Sequence, residues 1–472
     1  MLIIKCDYMK IINKVLSSFK DIPDLIVRKI KYKLGYVYIY YIETISSSDK
    51  VNSFILDNLT NPVNKPSIDN ILAGPNLKKI KITEFEKYIF NGYSIIVYFN
   101  KIYALETRAD LDRAISSPEI EQDLYGAKDA FVENYQKNIG LIKRRIKSNN
   151  LKIKEYKLGR YTSTNTGMVY IDNICKNKLV IECDKLLRKI DTEAIIDAGE
   201  LKQFLIKEGK SFFPSVKLTE RPDAIVRALL EGKIVIIVDT SPFAIILPVV
   251  LVDFINPISD NYLTSFNANI LKALRFICLF ITIFTPAIYI AVVNFNQETI
   301  PATLLTSFIT QSAGVPFPAT IEAFFMLFIC EMLRESDLRF PSSFSSSISI
   351  LGALILGDAA VSANIVSPIM IIIISLTFIS SMIFSNVELT GAIRCWRFIA
   401  LLFASFYGLF GVTISFILLT VSISSYYSFT LPYTFPVAPF DLSYLKDTLV
   451  KSKKKNDLTR SKYLTNNIRK QR

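Results

Sequence analysis

Two kinds of patterning divide the chain. Up to about residue 240, apolar positions come in short bursts. Six runs are rich in Ile, Val and Tyr and bounded by Gly, Asn, Asp or Ser: 36–43, 94–99, 101–107, 151–159, 167–172 and 234–239. Such runs predict strands. Between them, Phe131, Tyr135, Ile139 and Ile142 recur at spacings of four, four and three, which predicts a helix over 128–147. Lys137, Lys143 and Arg144 fall on its other face, a basic surface for solvent or a partner. Short strands mixed with helices predict an α/β or α+β head. Segment 107–125, with Pro118 and many charges, divides it into subdomains 1–112 and 113–240.

From Ser241 the pattern changes to long apolar runs. About 20 apolar residues in a helix cross a bilayer, and 270–295, 364–384 and 398–426 meet that length. Weaker runs at 242–255, 302–310, 323–332 and 345–362 are short or broken by Pro, Gly or an acid. Broken segments are tolerated at membrane depth only inside protein or along a water-filled path. The expected fold class is a multidomain integral membrane protein. It has a cytoplasmic mixed α/β head of two subdomains, an all-α transmembrane domain with broken helices over 241–436, and a basic cytoplasmic tail over 437–472.

Charge sharpens this division. Residues 242–436 hold nine acids and six bases, a net of −3, against +16 elsewhere. The tail alone has ten bases and three acids. Lys272 and Arg275 before one long run, and Arg394 and Arg397 before another, read as cytoplasmic anchors. The early charges Lys5, Asp7, Lys10 and Lys14 interrupt any signal-peptide core. Head and tail are therefore expected on one face, with four or six crossings between them. Histidine is absent, which excludes imidazole-based nucleophile pairs and imidazole-ligated metals. The six cysteines, Cys6, Cys175, Cys183, Cys278, Cys330 and Cys395, form no CxxC pair and read as reduced, buried thiols. No P-loop, dinucleotide fingerprint or nucleic-acid motif is present. Neither an enzyme nor a cofactor is expected, and no nucleic-acid partner.

At Thr219 the sequence becomes specific. TERPDAIVRALLEGKIVIIVDTSPFAIILP (219–248) resembles the A subunits of bacterial spore germinant receptors, the GerA family. The resemblance continues through 274–305, GVPFPATIEAFFMLFICEMLRESDLRFP (314–341), ISILGALILGDAAVSANIVSP (348–368), LPYTFPVAPF (431–440) and LKDT (445–448). GAKDAFVENYQKNIGLIKRRI (126–146) follows the same pattern. Where the family has a Gly-containing VDGSP-like turn, this chain has VDTSP, with Thr240 at the Gly position. The resemblance implies a multi-pass protein of the spore inner membrane. It implies partners: a transporter-like B subunit, a lipoprotein C subunit, and further copies of the chain in a pentamer that forms a nutrient-gated channel for monovalent cations. A stage V sporulation paralogue, amplifying ion release, is the alternative within the family. A secondary transporter is the alternative outside it, but no internal repeat of paired broken helices is found.

Four groups of residues carry candidate function. Asp358 lies among small residues in 347–370. It reads as a pore-lining acid, as an interfacial acid in a helix break, or as a partner contact. In the pore reading Leu354, Asp358, Val361 and Ile365 form one helical stripe, and five copies ring a cation path. Gly352, Ala353, Gly357, Ala359, Ala360 and Ala363 allow close helix packing. Glu322, Glu331, Arg334, Glu335 and Arg339 suggest an intramembrane ion network, with Glu331–Arg334 and Glu335–Arg339 at pairing distances along a helix. Arg221, Pro222, Asp223, Asp239 and Pro242 sit where the head is expected to hand the chain to the membrane.

Overall fold

The computed structural model describes residues 23–32, 35–60, 77–99, 101–109, 118, 121, 126–206, 212–339, 357–441, 445, 451, 460, 461 and 463–466. Two five-stranded antiparallel sheets build the head. The first contains β1 (Leu25–Tyr32), β2 (Gly35–Ile42), β3 (Lys78–Lys79), β4 (Tyr93–Tyr98) and β5 (Lys101–Glu106), in the order β1-β2-β4-β5-β3. Side chains alternate across it. Val37, Ile39 and Tyr41 meet Val51, Ile55 and Leu59 of a helical stretch over 48–60. Tyr40 and Ile42 meet Phe85, Ile89 and Phe90 on the other face. Because both faces are covered, β2 reads in the sequence as one continuous apolar run.

The second sheet contains β6 (Leu151–Leu158), β7 (Thr164–Ile171), β8 (Lys217–Thr219), β9 (Ile234–Val238) and β10 (Ala244–Leu247), in the order β6-β7-β9-β10-β8. Helices α1 (Tyr135–Arg145) and α4 (Pro222–Glu231) cover one face, and α2 (Asn177–Lys189) and α3 (Ala198–Leu205) the other. All six expected strands are present. The expected helix over 128–147 is shorter, because Asn134 caps it by accepting from the Lys137 N–H at 3.0 Å. Phe131 lies in extended chain before the cap, and its N–H donates to the Glu220 carbonyl at 2.8 Å.

Two expectations for the head are corrected. Lys143 is not on a basic surface. Its side chain is buried and pairs with Asp24 at the edge of the first sheet, so it ties that sheet to helix α1. Burial pushes its ammonium below the ordinary lysine range and Asp24 opposes that shift. The head also runs past residue 240. Strand β9 turns through 239–243 and returns as β10, which pairs with β9 and β8. The apolar run that begins at 242 is therefore a buried strand followed by the short helix Leu251–Ile255.

The C-terminal part is helical: α5 (Ser265–Asn294), α6 (Ala302–Ser312), α7 (Ala319–Arg339), α8 (Pro368–Ser381) and α9 (Val387–Ser425). By length and composition, α5 and α9 are apolar and long enough to cross a membrane. The run 364–384, expected as a full crossing, contains only the 14 residues of α8 as helix, or about 21 Å at 1.5 Å per residue. Ser367 caps it and Pro368 starts it, which fixes that limit.

Helix α9 is not straight. Gly408 has φ 58° and ψ −139°, which is not helical. A Cβ on Gly411 would lie 2.0 Å from the Phe403 carbonyl oxygen, so the chain has doubled back on itself. Two antiparallel arms result, 387–407 and 409–425, of about 31 and 25 Å. The run 398–426, expected as one crossing, thus contains a reversal. The fold sits against the end of α5, since a Cβ on Gly408 would be 2.8 Å from Phe295 Cβ.

The helices run in opposing directions relative to the head. Arg275 near the start of α5 binds Asp260 beside the head at 2.6 and 2.9 Å. Asn294 at its end donates to Thr320 at the start of α7, 3.1 Å away. Glu331, farther along α7, meets the first arm of α9. Helix α8 starts beside Glu322 and ends beside Arg334, so it runs the same way as α7. Both ends of α9 return to the head: Glu388 pairs with Lys202, and Ser428 Oγ donates to the Ser215 carbonyl at 2.7 Å. The tail docks there too, where the Asn466 N–H donates to the Ile174 carbonyl at 3.0 Å. One contiguous apolar core includes Ile139 and Ile225 of the head with Phe284 of α5 and Trp396 of α9.

Candidate functional site

Several polar pairs join the head to the helices. Arg221 is the residue before α4, and Pro222 occupies the first helical position, which suits its fixed φ and missing N–H. The Arg221 guanidinium, 2% exposed, grips Asp223 at 3.0 and 2.7 Å. Asp223 also accepts from the Tyr262 hydroxyl at 2.8 Å, three residues before α5. Arg221 and Tyr262 hold the Asp223 carboxyl below the usual carboxylate range against its burial. Asp239 and Pro242 do not take part. Asp239 accepts from the Tyr135 N–H at 3.1 Å inside the head, and Pro242 lies in the β9–β10 turn.

Residues that the sequence did not single out complete the junction. Lys202 on α3 is buried and pairs with Glu388 in the first turn of α9. Burial pushes the Lys202 ammonium down to about 8. Lys233 binds Asp253 at 2.8 Å, and Lys451 of the tail caps the carbonyls of Asp260, Asn261 and Leu263 at 2.7–3.0 Å. Each pair joins positions far apart in sequence, so no local pattern marks it. A cavity of about 560 Å³ lies among Lys202, Lys217, Arg275 and Glu388, with Phe243, Phe254 and Leu274 as apolar wall.

The expected ion network is rearranged. Glu331 does not pair with Arg334. Its carboxylate takes Arg394 at 2.8 Å and Arg397 on its other oxygen, both from α9. Arg334 donates instead to Ser381 Oγ and lies 5.3 Å from the Phe378 ring. Interhelical pairing wins because Arg397 is buried against α7, with 1% of its side chain exposed. Glu335 is exposed, and the side chain of Arg339 lies outside the described residues. Glu322 stands apart from them. It is 3% exposed and accepts from the Ser367 N–H and hydroxyl at 2.9 and 3.0 Å, so it anchors the start of α8.

Of the small-residue and pore groups, Gly352, Ala353 and Leu354 lie outside the described residues. Gly357 to Ser362 are helical. The Ile365 N–H reaches the Ala360 carbonyl and the Asn364 N–H reaches Val361, both at 2.9 Å, with Asn364 at φ 52°. This is a Schellman termination, with Asn in the left-handed position. Ile365 therefore lies beyond the helix end and not on one stripe with Asp358 and Val361. Ala363 lies in the same termination. Asp358 and Ala359 are exposed, Val361 is half-buried, and Ala360 packs on a cluster with Met326, Leu327 and Met370. Nothing lies within 4 Å of a Cβ placed on Gly357. Among the described residues, no group of three or more Cys, Asp or Glu is placed to hold a metal ion.

Comparisons with known proteins agree with the ordered sequence blocks. The model of the family described as "Bacillus/Clostridium GerA spore germination protein" matches residues 13–463. "Spore germination protein KA" of Bacillus subtilis (strain 168) is 38% identical over 343 residues, 73% of this chain. This chain spans 63% of that relative's length. "Spore germination protein A1" of the same organism is 31% identical over 94% of this chain and 93% of its own length. The crystal structure of the N-terminal domain of the A subunit of the Bacillus megaterium spore germinant receptor GerK3 aligns over 50% of this chain and 92% of that domain. Its identity is 24% and its TM-score 0.37. With one family spanning nearly the whole length from the first sheet to the docked tail, the chain belongs to the GerA family of spore germination proteins.

Proposed function

We propose that the chain is the membrane subunit of a spore germinant receptor, and that copies of it assemble around a cation pathway opened by nutrient. The observation that carries the membrane part is the outer surface of the helical block. Ile372, Ile379, Phe406 and Phe410 are each more than 60% exposed. An apolar face of this extent is unfavourable in water and favourable in lipid. The helix directions support an even number of crossings, with head and tail on one face, since both ends of α9 and the tail meet the head. The family's role in germination supports the receptor, with a transporter-like B subunit and a lipoprotein C subunit as partners in the spore inner membrane.

Asp358 supports the cation pathway. It is an exposed carboxylate on the 357–362 helical segment, and among the described residues no cation lies within pairing distance. An isolated acid in the hydrocarbon region is unfavourable by about 2.5–3.5 kcal/mol on insertion scales. Repeated around an axis, the same acid faces water and attracts cations. Val361, one turn on, places an apolar group beside it where a ring of copies can close the path by dewetting. The test is ion release from spores carrying Val361→Ala, whose smaller ring leaks during dormancy. Tight dormancy in that variant, with normal assembly, contradicts the pore position.

A further inference from the structure

Two arginines share one carboxylate inside the helical block, and a third stands one turn along α7 from it. Arg394 and Arg397 share Glu331 as a direct ion pair, while Arg334 makes its hydrogen bond to Ser381 Oγ and lies over the face of Phe378. Among the described residues no second acid pairs with any of the three. The cluster therefore holds two more positive charges than negative. Two of its buried N–H groups, Arg334 Nη1 and Arg397 Nε, have no acceptor. A buried donor left unsatisfied is unfavourable, and a buried charge without a counterion more so. A bound anion relieves both.

We infer that this cluster binds the phosphate of an anionic lipid headgroup, an inference that rests on the membrane reading above. A planar guanidinium presents paired N–H donors that match phosphate oxygens. Basic pockets between helices on the head side of a membrane domain suit such headgroups. The cluster lies where α7 and α8 end and α9 begins. Arg394 is about 10 Å along α9 from Val387, near the depth of headgroups for a helix that starts at the head. Phe328, Met332 and Ile379 flank it, each more than half exposed, as an apolar rim for acyl chains.

The test uses the full chain, delipidated and reconstituted in nanodiscs of phosphatidylcholine with or without phosphatidylglycerol. Native mass spectrometry counts the retained lipids and thermal unfolding is followed in parallel. Wild type is expected to retain phosphatidylglycerol over phosphatidylcholine by about tenfold, the size of one charged hydrogen bond. Arg334→Gln loses that preference, and Arg334→Lys keeps part of it. Glu331→Gln removes the competing carboxylate, so phosphatidylglycerol raises its unfolding temperature more than it raises that of wild type. A purely structural Glu331 gives no such gain. Equal retention of the two lipids by wild type, or an unchanged preference in Arg334→Gln, overturns the assignment. An equal stabilisation by glycerol 3-phosphate also overturns it, because free phosphate is then the ligand. A change of oligomer mass in Arg334→Gln with lipid retention intact overturns it in favour of an acid from a second copy. No arm measures ion flux, so failure here leaves the channel reading standing; loss of the chain from the membrane fraction is what fails the membrane reading.

Discussion

Lys202 of the head pairs with Glu388 in the first turn of α9. The lysine is buried, and the glutamate is 44% exposed at the end of a helix that folds back at Gly408. A displacement of α3 therefore reaches α9 directly through one charged contact. The acid also stands at the helix N-terminus, where the partial positive charge of the backbone favours it. The contact is well placed to couple head and helices.

The titration of Lys202 gives a pH signature. Its folded value of about 8 lies below the ordinary 10.5. Between those values the unfolded chain holds a proton that the folded chain lacks. Stability from this group therefore rises with pH across that window, while the pair with Glu388 is present below about 8 and lost above it. Urea unfolding of the wild type is expected to show that rise, and Lys202→Met to lack it. The same slope in both proteins refutes the assignment.

Gly408 is expected to tolerate no side chain. Its φ of 58° with ψ of −139° is a conformation open essentially to glycine, and a Cβ would press on Phe295. Gly408→Ala should destabilise by about 1–3 kcal/mol from backbone strain alone. Gly411→Ala should be worse, because its Cβ meets the Phe403 backbone oxygen. Thermal unfolding of the reconstituted chain measures both, and an unchanged midpoint in either variant contradicts the hairpin.

Thr240, in the turn between β9 and β10, has φ 66°. A β-branched residue there is strained by about 1–2 kcal/mol. Its hydroxyl offsets part of this by donating to the Ile196 carbonyl at 2.7 Å, a bond worth about 1 kcal/mol. Thr240→Gly removes strain and bond together and should leave stability within about 1 kcal/mol of wild type. Thr240→Val keeps the strain and loses the bond, so it should be the less stable of the two. Equal midpoints for the two variants would show that the backbone strain at this position contributes nothing.

The sequence made the regular parts of this fold legible and left the long-range parts hidden. Strands β2, β4 to β7 and β9 were visible because Ile, Val and Tyr cluster between turn residues. Strand β10 was not, because AIIL inside a longer apolar run looks like the start of a membrane segment; only the turn at Thr240 and Pro242 marks it. The reversal at Gly408 was hidden for a similar reason, since one glycine in a run of apolar residues leaves hydropathy unchanged. Arg221, Pro222 and Asp223 stand out in the sequence as a motif, whereas Tyr262, whose hydroxyl donates to Asp223, does not. Lys202–Glu388, Lys143–Asp24 and Glu331 with Arg394 and Arg397 were not recognised, since each spans at least 60 positions and no local spacing encodes it.

The central claim, a cation pathway through copies of this chain, is tested most directly at Asp358. The measurement is the rate of monovalent-cation release from spores after nutrient addition, with receptor abundance and assembly checked in the same preparations. Asp358→Asn removes the charge and keeps the shape. The expected result is assembly as in wild type, cation release slowed by about tenfold as the carboxylate's attraction is lost, and recovery on Asp358→Glu. Wild-type release rates in Asp358→Asn, with the receptor assembled, would contradict it.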